Sequence, residues 1–328
     1  MSTREITYVE ALRETLVEAL ESDPRVILIG EEIGHYGGVF RVTEGLLERF
    51  GADRIRDTPI AEAGFVGAAI GAALVGARPI VEVMFMDFIA CAMDPIVNHA
   101  AKLRAMSGGQ SRVPLVIRTQ GGTGTRHSAQ HSQMLESWFT HVPGLLVAMP
   151  ATPADAKGLL ATAVAQDDPV IFVEHRSLYR SRGPVEVGTS PIPFGQAAVR
   201  RAGEDVTIVA TSRMVLVALD AAQTLAERGI EAEVIDPRTL VPLDLETILA
   251  SVARTHRLVV VHEEAERSGW GAELVTQVVA EGFDDLDAPP LRLASRNVPI
   301  PFGLELERIV VPHADDVVAE VQRLVGAS

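Results

Sequence analysis

The sequence has 328 residues, of which 47% are hydrophobic and 22% are charged. Because this length exceeds the usual size of one hydrophobic core, it predicts two domains of about 100 to 200 residues each. Asp and Glu together number 44 against 29 for Lys and Arg, which gives a formal charge of -15. This balance excludes a nucleic-acid partner, since binding to a phosphate backbone requires clustered positive charge.

The sequence shows no targeting or membrane signal. Its first residues, MSTREITYVEALRETL, have no apolar stretch behind a basic one, so no secretory signal is predicted. The longest run of small and apolar residues, 63–77, is too short to span a membrane and contains four glycines. A lone cysteine, Cys91, excludes an intrachain disulfide framework. We therefore expect a cytoplasmic protein with no membrane contact.

The first half of the chain alternates β-rich runs with segments of helical periodicity. In chain order, the predictions are a helix over 8–20, a strand over 26–29, a small-residue helix over 63–76, a strand over 79–84, a helix over 87–103, strands over 114–118 and 145–149, a helix over 153–165 and a strand over 170–173. Such alternation predicts parallel βαβ units in a doubly wound sheet.

A second alternation follows a stretch rich in Gly, Pro and Ser at 180–193, where we place the domain boundary. The predicted strands cover 206–210, 232–235 and 258–261, and the predicted helices cover 215–228, 245–253, 272–280 and 315–324. The predicted fold class is α/β, with two doubly wound domains over 1–185 and 186–328.

Common nucleotide and redox motifs are absent from the sequence. Gly122-Thr123-Gly124 and Gly269-Trp270-Gly271 each supply only the first two glycines of a dinucleotide fingerprint. Neither a phosphate-binding G-x-x-x-x-G-K-[ST] loop nor a C-x-x-C pair occurs. These absences argue against nucleotide and dithiol chemistry.

His127 and His131 are four residues apart, a spacing that would place two metal ligands on one face of a helix. The glycines at 121, 122 and 124 favour a loop instead, and no third ligand lies nearby in the sequence. A zinc site, a catalytic His131 and a His131 that is only hydrogen-bonded all remain open.

Glu62 follows Pro59 and opens the glycine-rich helical stretch. A first-turn carboxylate interacts favourably with the helix dipole, so a purely structural role explains Glu62 taken alone. Met84 and Phe88 are core residues on the same default interpretation.

Five long sequence segments, which follow one another in a characteristic order, change this interpretation. They are GEEIGHYGGVFRVTEGL (30–46), RIRDTPIAEAGFVGAAIGAALVGARPIVEVMFMDF (54–88), AMDPIVNHAAKLR (92–104), AQHSQMLESWFTHVPGLLVAMPATPADAKGLL (129–160) and VIDPRTLVPLD (234–244). Together they resemble the beta subunits of thiamine-diphosphate-dependent 2-oxo acid and acetoin dehydrogenase components. The resemblance extends from about residue 4 to 325.

The resemblance implies a division of the cofactor between two chains. The N-terminal domain would bind the aminopyrimidine half of thiamine diphosphate, and a transketolase-type C-terminal domain would support assembly. An alpha subunit would hold the diphosphate with its Mg ion, and this chain has no G-D-G pattern for that purpose. The implied partners are two alpha subunits in an alpha2beta2 heterotetramer and a lipoyl acyltransferase core.

The resemblance also implies roles for individual residues. Glu62 matches the glutamate that activates the cofactor, and Glu31 matches an acidic residue near it. His131 in A-Q-H-S-Q matches a histidine implicated in acyl transfer to lipoamide. The residues expected to pack against the aminopyrimidine ring are Ile60, Met84 and Phe88. The stretch containing Arg126 and His127 departs from the family pattern, and we expect it to influence substrate choice.

The family's beta subunits often bind a structural potassium ion through carbonyl oxygens. The matching positions are Leu115, Ala163, Val164, Gln166 and Asp168. Gln166 replaces a frequent Asp, and Asp168 replaces a common Asn, so the local charge differs from the family pattern.

The resemblance leaves the substrate and two rival functions open. The run V-E-V-M-F-M-D-F is nearer to pyruvate and acetoin members than to branched-chain ones. One rival is a split transketolase, which would not use lipoamide as acceptor. The other is a nucleotide-carrying electron-transfer subunit, which would bind a coloured flavin.

Overall fold

The computed structural model describes residues 3–188 and 191–326. By their internal contacts these residues form two compact units. The first contains the described residues up to Gly121 together with Trp138–Phe194, and the second contains Gly122–Ser137 together with the described residues from Gly195 onward. The domain limits 1–185 and 186–328 stay a prediction.

The first unit contains a parallel sheet with helices packed on it. Its strands are β1 (Thr3–Thr7), β2 (Val26–Gly30), β3 (Ile55–Asp57), β4 (Arg78–Val83), β5 (Val116–Gly121), β6 (Leu146–Ala148), β7 (Val170–His175) and β8 (Arg182–Glu186). The helices up to the end of this unit are α1 (Tyr8–Ser22), α2 (Leu46–Phe50), α3 (Glu62–Leu74), α4 (Leu103–Met106), α5 (Glu136–Thr140) and α6 (Pro153–Ala165).

Six strands of this unit are hydrogen-bonded side by side in the order β6-β7-β5-β4-β2-β3, and all of them run parallel. β1 and β8 form a separate antiparallel pair. The carboxyl ends of the six strands therefore lie at one edge of the sheet, which is where doubly wound folds bind their ligands.

Helix α3 brings its first residue to that edge. Pro59 is followed by a helix of small residues, whose larger side chains Phe65, Val66 and Ile70 are buried. The hydrogen bonds of the first turn run from the backbone N–H groups of Gly64 and Phe65 to the carbonyl of Ala61. Burial of this apolar face, rather than helix propensity, explains why a glycine-rich segment is helical.

The single helix predicted over 87–103 is wrong. The chain instead forms a 3-10 segment at Met86–Ala92, a π-helical segment at Pro95–Ala100 and the short α4. Pro95 has no backbone N–H to donate and its ring clashes with the preceding turn, so a regular helix cannot run through it. Phe88 consequently lies in an irregular segment beside the end of β4.

A buried ion-pair network ties β4, β5 and β7 together beneath this edge. Arg118 on β5 is 2% exposed, and its Nε and Nη2 atoms donate to Glu174 at 2.7 and 2.9 Å. Its Nη1 atom donates to Glu82 at 2.7 Å. The hydroxyl of Tyr179 donates to Glu174 at 2.6 Å. Attraction to the two glutamates offsets the cost of burying Arg118 and raises the pKa of its guanidinium.

The second unit contains another α/β sheet. Its strands are β9 (Ala198–Arg201), β10 (Val206–Ala210), β11 (Ala232–Asp236), β12 (Thr239–Val241), β13 (Leu258–Ala265) and β14 (Leu291–Ser295), and its helices after residue 195 are α7 (Met214–Ala226), α8 (Leu245–Thr255), α9 (Trp270–Gly282), α10 (Leu304–Val310) and α11 (Ala314–Gly326). The sheet order is β14-β13-β10-β11-β9, with β9 antiparallel to β11 and the other pairs parallel.

The prediction of two α/β domains with doubly wound sheets is confirmed. Within residues 3–188 and 191–326, no helix is both long enough and apolar enough to cross a membrane.

Candidate active site

Four of the predicted site residues lie at the carboxyl edge of the first sheet. Glu31 directly follows β2, Glu62 begins α3 after β3, and Met84 directly follows β4. Phe88 lies in the 3-10 segment after Met84. Because β3, β2 and β4 are neighbouring parallel strands, the sheet itself brings these residues to the same side of the unit.

Glu31 and Glu62 are buried carboxylates, with 6% and 8% of their surface exposed. Burial, followed by the charges of Glu62 and Glu32, raises the pKa of Glu31. The Oε1 atom of Glu31 is buried and has no hydrogen-bond partner among the described residues. Leaving such an acceptor unsatisfied costs roughly 1–3 kcal/mol, so this edge fits a ligand that offers an N–H or O–H donor.

The loop after β2 is fixed above the edge by Asp57, the last residue of β3. The Oδ1 atom of Asp57 accepts a hydrogen bond from the backbone N–H of Gly34 at 2.6 Å, and Oδ2 accepts one from His35 at 3.3 Å. A Cβ atom at position 34 would lie 2.6 Å from Oδ2 of Asp57, so the close approach requires glycine. This contact orders the chain immediately after Glu31.

Met84 and Phe88 are half-buried and offer apolar surface at the same edge of the sheet as the two carboxylates. The side chain of Gln120 donates to the carbonyl of Met84 at 2.6 Å. The Phe88 ring packs edge to face on Phe85, with 5.5 Å between centroids. Phe85 packs in turn on Phe40 at 5.6 Å. The aromatic contacts hold Phe88 in place, and its side chain is only half-buried.

Ile60, in the link between β3 and α3, is 83% exposed. Contacts within this unit therefore do not hold its side chain, and an apolar side chain so exposed is available to a ligand or a partner.

His131 lies in the segment Gly122–Ser137, which belongs by its contacts to the second unit. The histidine is half-buried, and its backbone N–H donates to the carbonyl of Ser128 at 3.4 Å. Nδ1 of His127 lies 3.0 Å from the hydroxyl of Thr125. No cluster of three or more His, Cys, Asp or Glu side chains suited to a metal ion occurs among the described residues.

Reasoning from the sequence missed three glutamates of the second unit that bind this segment. Glu263 and Glu264 end the buried run of β13, and Glu307 lies in α10; each is about 5% exposed or less. The only available signal was the polar HEE triplet at the end of a strongly apolar strand. Their partners, Thr123, Gly124 and Ser137, are far away in the sequence.

Four of the five carbonyl groups expected to bind potassium accept hydrogen bonds. Arg78 donates to the carbonyl of Val164 through Nε at 3.1 Å and Nη2 at 2.9 Å, and to that of Gln166 through Nη2 at 2.5 Å. The carbonyl of Leu115 accepts from the Val170 N–H at 2.9 Å, and that of Ala163 from the Gln166 N–H at 3.2 Å.

The charged side chains around these carbonyl groups also disfavour the binding of a potassium ion. Arg104 pairs with Asp168, while Arg78 and Arg112 pair with Asp167. Three guanidinium groups thus face two carboxylates. These residues do not fit a potassium ion, because Arg78 already supplies a positive charge to two of the predicted carbonyl oxygens, those of Val164 and Gln166.

Two family models match the chain. "Transketolase, pyrimidine binding domain" matches residues 4–182, and "Transketolase, C-terminal domain" matches residues 195–317. A solved structure titled "Split gene transketolase, inactive beta4 tetramer" superimposes with a TM-score of 0.81 at 25% identity and covers 98% of both chains.

The similar proteins include subunits of two kinds of dehydrogenase. Pyruvate dehydrogenase E1 component subunit beta of Rickettsia felis is 47% identical over 98% of each chain. The mitochondrial beta-2 subunit of rice pyruvate dehydrogenase E1 is 46% identical, over 98% of this chain and 87% of its own. The beta subunit of acetoin:2,6-dichlorophenolindophenol oxidoreductase from Cupriavidus necator is also 46% identical, over 98% of this chain and 97% of its own. The chain therefore belongs to the family of beta subunits of thiamine-diphosphate-dependent 2-oxo acid and acetoin dehydrogenases, with a transketolase-type pyrimidine-binding domain followed by a transketolase-type C-terminal domain.

Proposed function

We propose that this chain, together with an alpha subunit, uses thiamine diphosphate to decarboxylate a 2-oxo acid such as pyruvate or to cleave acetoin, and passes the acyl group to a lipoyl group. The observation that carries the proposal is the pair of buried carboxylates, Glu31 and Glu62, at the carboxyl edge of the parallel sheet. Two buried acids beside partly exposed apolar side chains are suited to proton chemistry on a flat, polar heterocycle.

The residues at this edge fit the aminopyrimidine half of the cofactor. That ring offers N–H donors, and Oε1 of Glu31 is a buried acceptor that has no partner among the described residues. The ring is flat, and Met84 and Phe88 present half-buried apolar surface next to the carboxylates. Ile60, which is 83% exposed, supplies a further apolar surface that a bound ring would cover.

Bound thiamine diphosphate supplies a nucleophilic carbon that attacks the substrate carbonyl. Glu62 would exchange a proton with the aminopyrimidine ring nitrogen, and protonation there makes the exocyclic amino group easier to deprotonate, so that its nitrogen can then act as a base. Met84 and Phe88 orient the ring and keep water from it. A carboxylate is needed at position 62, because an amide can hydrogen-bond to the ring nitrogen but cannot exchange a proton with it.

His131 acts in the transfer of the acyl group. The acyl carbon would form a bond to one sulfur of the lipoyl disulfide, which is the oxidant, and the S–S bond would break. The bond from this carbon to the cofactor would then break with loss of the hydroxyl proton, which releases the thioester. The released sulfur takes up a proton, which we assign to His131 as donor. Arg126 and His127 are exposed on the same segment, and we propose that they contact the incoming substrate and influence its selection.

The alpha subunit completes the cofactor site. The diphosphate and its Mg ion are assigned to that subunit, because this chain lacks the sequence pattern that holds them. We propose an alpha2beta2 heterotetramer that docks on a lipoyl acyltransferase core. The relatives are themselves named as subunits or components, which supports an obligate assembly. Such assemblies bury large apolar interfaces.

Potassium is left out of the proposal, since Arg78 and two backbone N–H groups already occupy four of the five predicted carbonyl ligands. The cytoplasmic location stays a prediction, because the relatives' names include mitochondrial proteins of rice alongside proteins of Rickettsia.

Reconstitution with the alpha subunit tests the proposal. The complex is assayed with pyruvate, acetoin and a branched-chain 2-oxo acid, each with 2,6-dichlorophenolindophenol and separately with a lipoyl domain. We expect turnover with pyruvate or acetoin in both assays, and none by the chain alone. Failure with all three substrates, or a bound flavin, would contradict the proposal. Turnover without lipoyl acylation would favour a split transketolase.

A further inference from the structure

The segment that carries His131 is attached to the second unit at its upstream end by two buried glutamates. Oε1 of Glu263 accepts hydrogen bonds from the backbone N–H and the hydroxyl of Thr123, at 2.5 and 2.6 Å. Oε1 of Glu307 accepts one from the backbone N–H of Gly124 at 2.8 Å. Glu263 and Glu307 are 5% and 4% exposed. Charge-assisted hydrogen bonds this short are about twice as strong as neutral ones.

A third buried glutamate attaches the downstream end. Glu264 accepts hydrogen bonds from the backbone N–H of Ser137 at 3.1 Å and from the Ser137 hydroxyl. Its other oxygen accepts one from the backbone N–H of Trp270 at 3.0 Å, at the start of α9. Both ends of the segment are therefore bound to carboxylates of β13 and α10.

Between these ends the chain runs over the surface of the unit. Gly124, Arg126, His127 and Gln130 are exposed. Arg126 and Ser128 have left-handed backbone angles, with φ of 61° and 63°, which are strained for residues other than glycine. The Arg126 guanidinium lies over the Phe302 ring, 5.7 Å from its centroid. A strained surface loop of this kind keeps its shape only if its ends are fixed.

Burying three carboxylates to fix one loop is costly. Desolvation of a charged group is unfavourable unless hydrogen bonds and nearby charges compensate for it, and the guanidinium of Arg213 lies 3.5 Å from Glu263. The second oxygen of Glu307 is buried and has no hydrogen-bond partner in the described chain. Buried polar groups arranged at this cost are characteristic of residues that support a functional side chain.

We infer that Glu263 and Glu307 are positioning residues that hold the His131 segment for acyl transfer to the lipoyl group. The inference rests on the proposed role of His131. A shift of about 1 Å in a reacting group costs up to about 100-fold in rate. Loss of an anchor therefore lowers acyl transfer, whereas decarboxylation, which the first unit's carboxylates support, is spared.

The test uses the assembled complex with the alpha subunit and measures two rates. One is turnover coupled to a lipoyl domain, and the other is turnover with 2,6-dichlorophenolindophenol. Glu263→Ala is expected to lower the coupled rate about 10- to 100-fold and to leave the dye rate within about twofold. Glu263→Gln retains an acceptor for the Thr123 N–H and should recover most of the coupled rate. Glu307→Ala should behave like Glu263→Ala.

Glu233→Ala is the matched control. Glu233 is 4% exposed, lies on β11 and pairs with Arg254, so its removal disturbs the same unit without touching the His131 segment. It should change both rates equally or leave both unchanged. Hydrogen exchange supplies a readout independent of turnover: amides at 122–137 should exchange faster in Glu263→Ala than in Glu233→Ala.

Equal losses of the two rates in Glu263→Ala, or unchanged exchange at 122–137, would make Glu263 a structural residue and overturn the inference. A His131→Ala variant separates this result from failure of the proposed function. If His131→Ala is defective in coupled turnover while Glu263→Ala is normal, only the inference fails. If His131→Ala keeps full coupled turnover, His131 has no role in acyl transfer. The inference about Glu263 and Glu307 is then also wrong, because it depends on that role.

Discussion

Glu31 and Glu62 are buried carboxylates at the carboxyl ends of β2 and β3, and the charge of Glu62 acts on Glu31. Burial is the main cause that raises the pKa of Glu31, and the charge of Glu62 is the next. Ionisation of Glu31 therefore disfavours the folded chain. Two buried carboxylates with no ion pair to either among the described residues are a cost to stability, and such costs are concentrated at functional sites.

The raised pKa of Glu31 predicts a pH dependence of stability. The contribution of Glu31 is fully present below the unfolded pKa of about 4.3 and is lost as pH rises through the higher folded pKa. Glu31→Gln cannot ionise, so without added cofactor its Tm should exceed that of the wild type by an amount that grows with pH above this value. Thermal unfolding of the complex between about pH 4 and 8 measures the difference. The exposed Glu32→Gln is the control, and parallel curves for Glu31→Gln and wild type would contradict the prediction.

Replacement of Arg118 should be strongly destabilising. Arg118→Met leaves Glu82 and Glu174 next to each other without their cation, and breaking a buried ion pair in this way costs about 3–5 kcal/mol. Denaturant unfolding provides the free energy. Arg25→Met is the control, because Arg25 pairs with Asp23 on the surface and its loss should cost at most about 1 kcal/mol. Similar losses for the two variants would show that the network contributes little.

Because Arg78 donates to two of the carbonyl groups predicted to bind potassium, we expect the thermal stability of the complex not to depend on potassium. The wild-type complex is expected to have the same Tm in KCl, NaCl and choline chloride at equal ionic strength. Arg78→Ala removes charge-assisted hydrogen bonds to the carbonyls of Val164 and Gln166 and should cost about 2 kcal/mol or more. The carbonyls then become available, so the variant's Tm should rise with KCl. A saturable, potassium-specific rise in the Tm of the wild-type complex would show that potassium still binds, and would contradict the prediction.

The positions of Glu31, Glu62 and Met84 relative to the sheet could be predicted because each follows a strand or begins a helix with a strong local pattern. The alternation of apolar runs and helical periods also predicted both α/β domains. Six strands were missed, since runs of only three to five residues show no clear periodicity; they are β1, β3, β8, β9, β12 and β14. The irregular segments around Pro95 result from the chemistry of proline, but the sequence analysis predicted one continuous helix there.

The contacts that fix the His131 segment could not be predicted. Thr123 and Glu263 are 140 residues apart, and Gly124 and Glu307 are 183 residues apart. No local sequence pattern indicates that a glutamate at the end of one strand will accept hydrogen bonds from a distant loop. The same holds for Arg78, whose partner Val164 is 86 residues away, and this contact changes the expectation of a potassium site.

Glu62 offers the most direct test of the account, because its proposed role requires a carboxylate rather than a particular shape. The measurement is exchange of the thiazolium proton of thiamine diphosphate in the assembled complex, followed by quenching and proton NMR, for wild type and Glu62→Gln. We predict that Glu62→Gln slows exchange by about 10² to 10⁴, equivalent to about 3 to 5 kcal/mol of barrier, with assembly intact. Equal exchange rates would contradict the account, and would leave Glu62 as a carboxylate that only favours the start of α3.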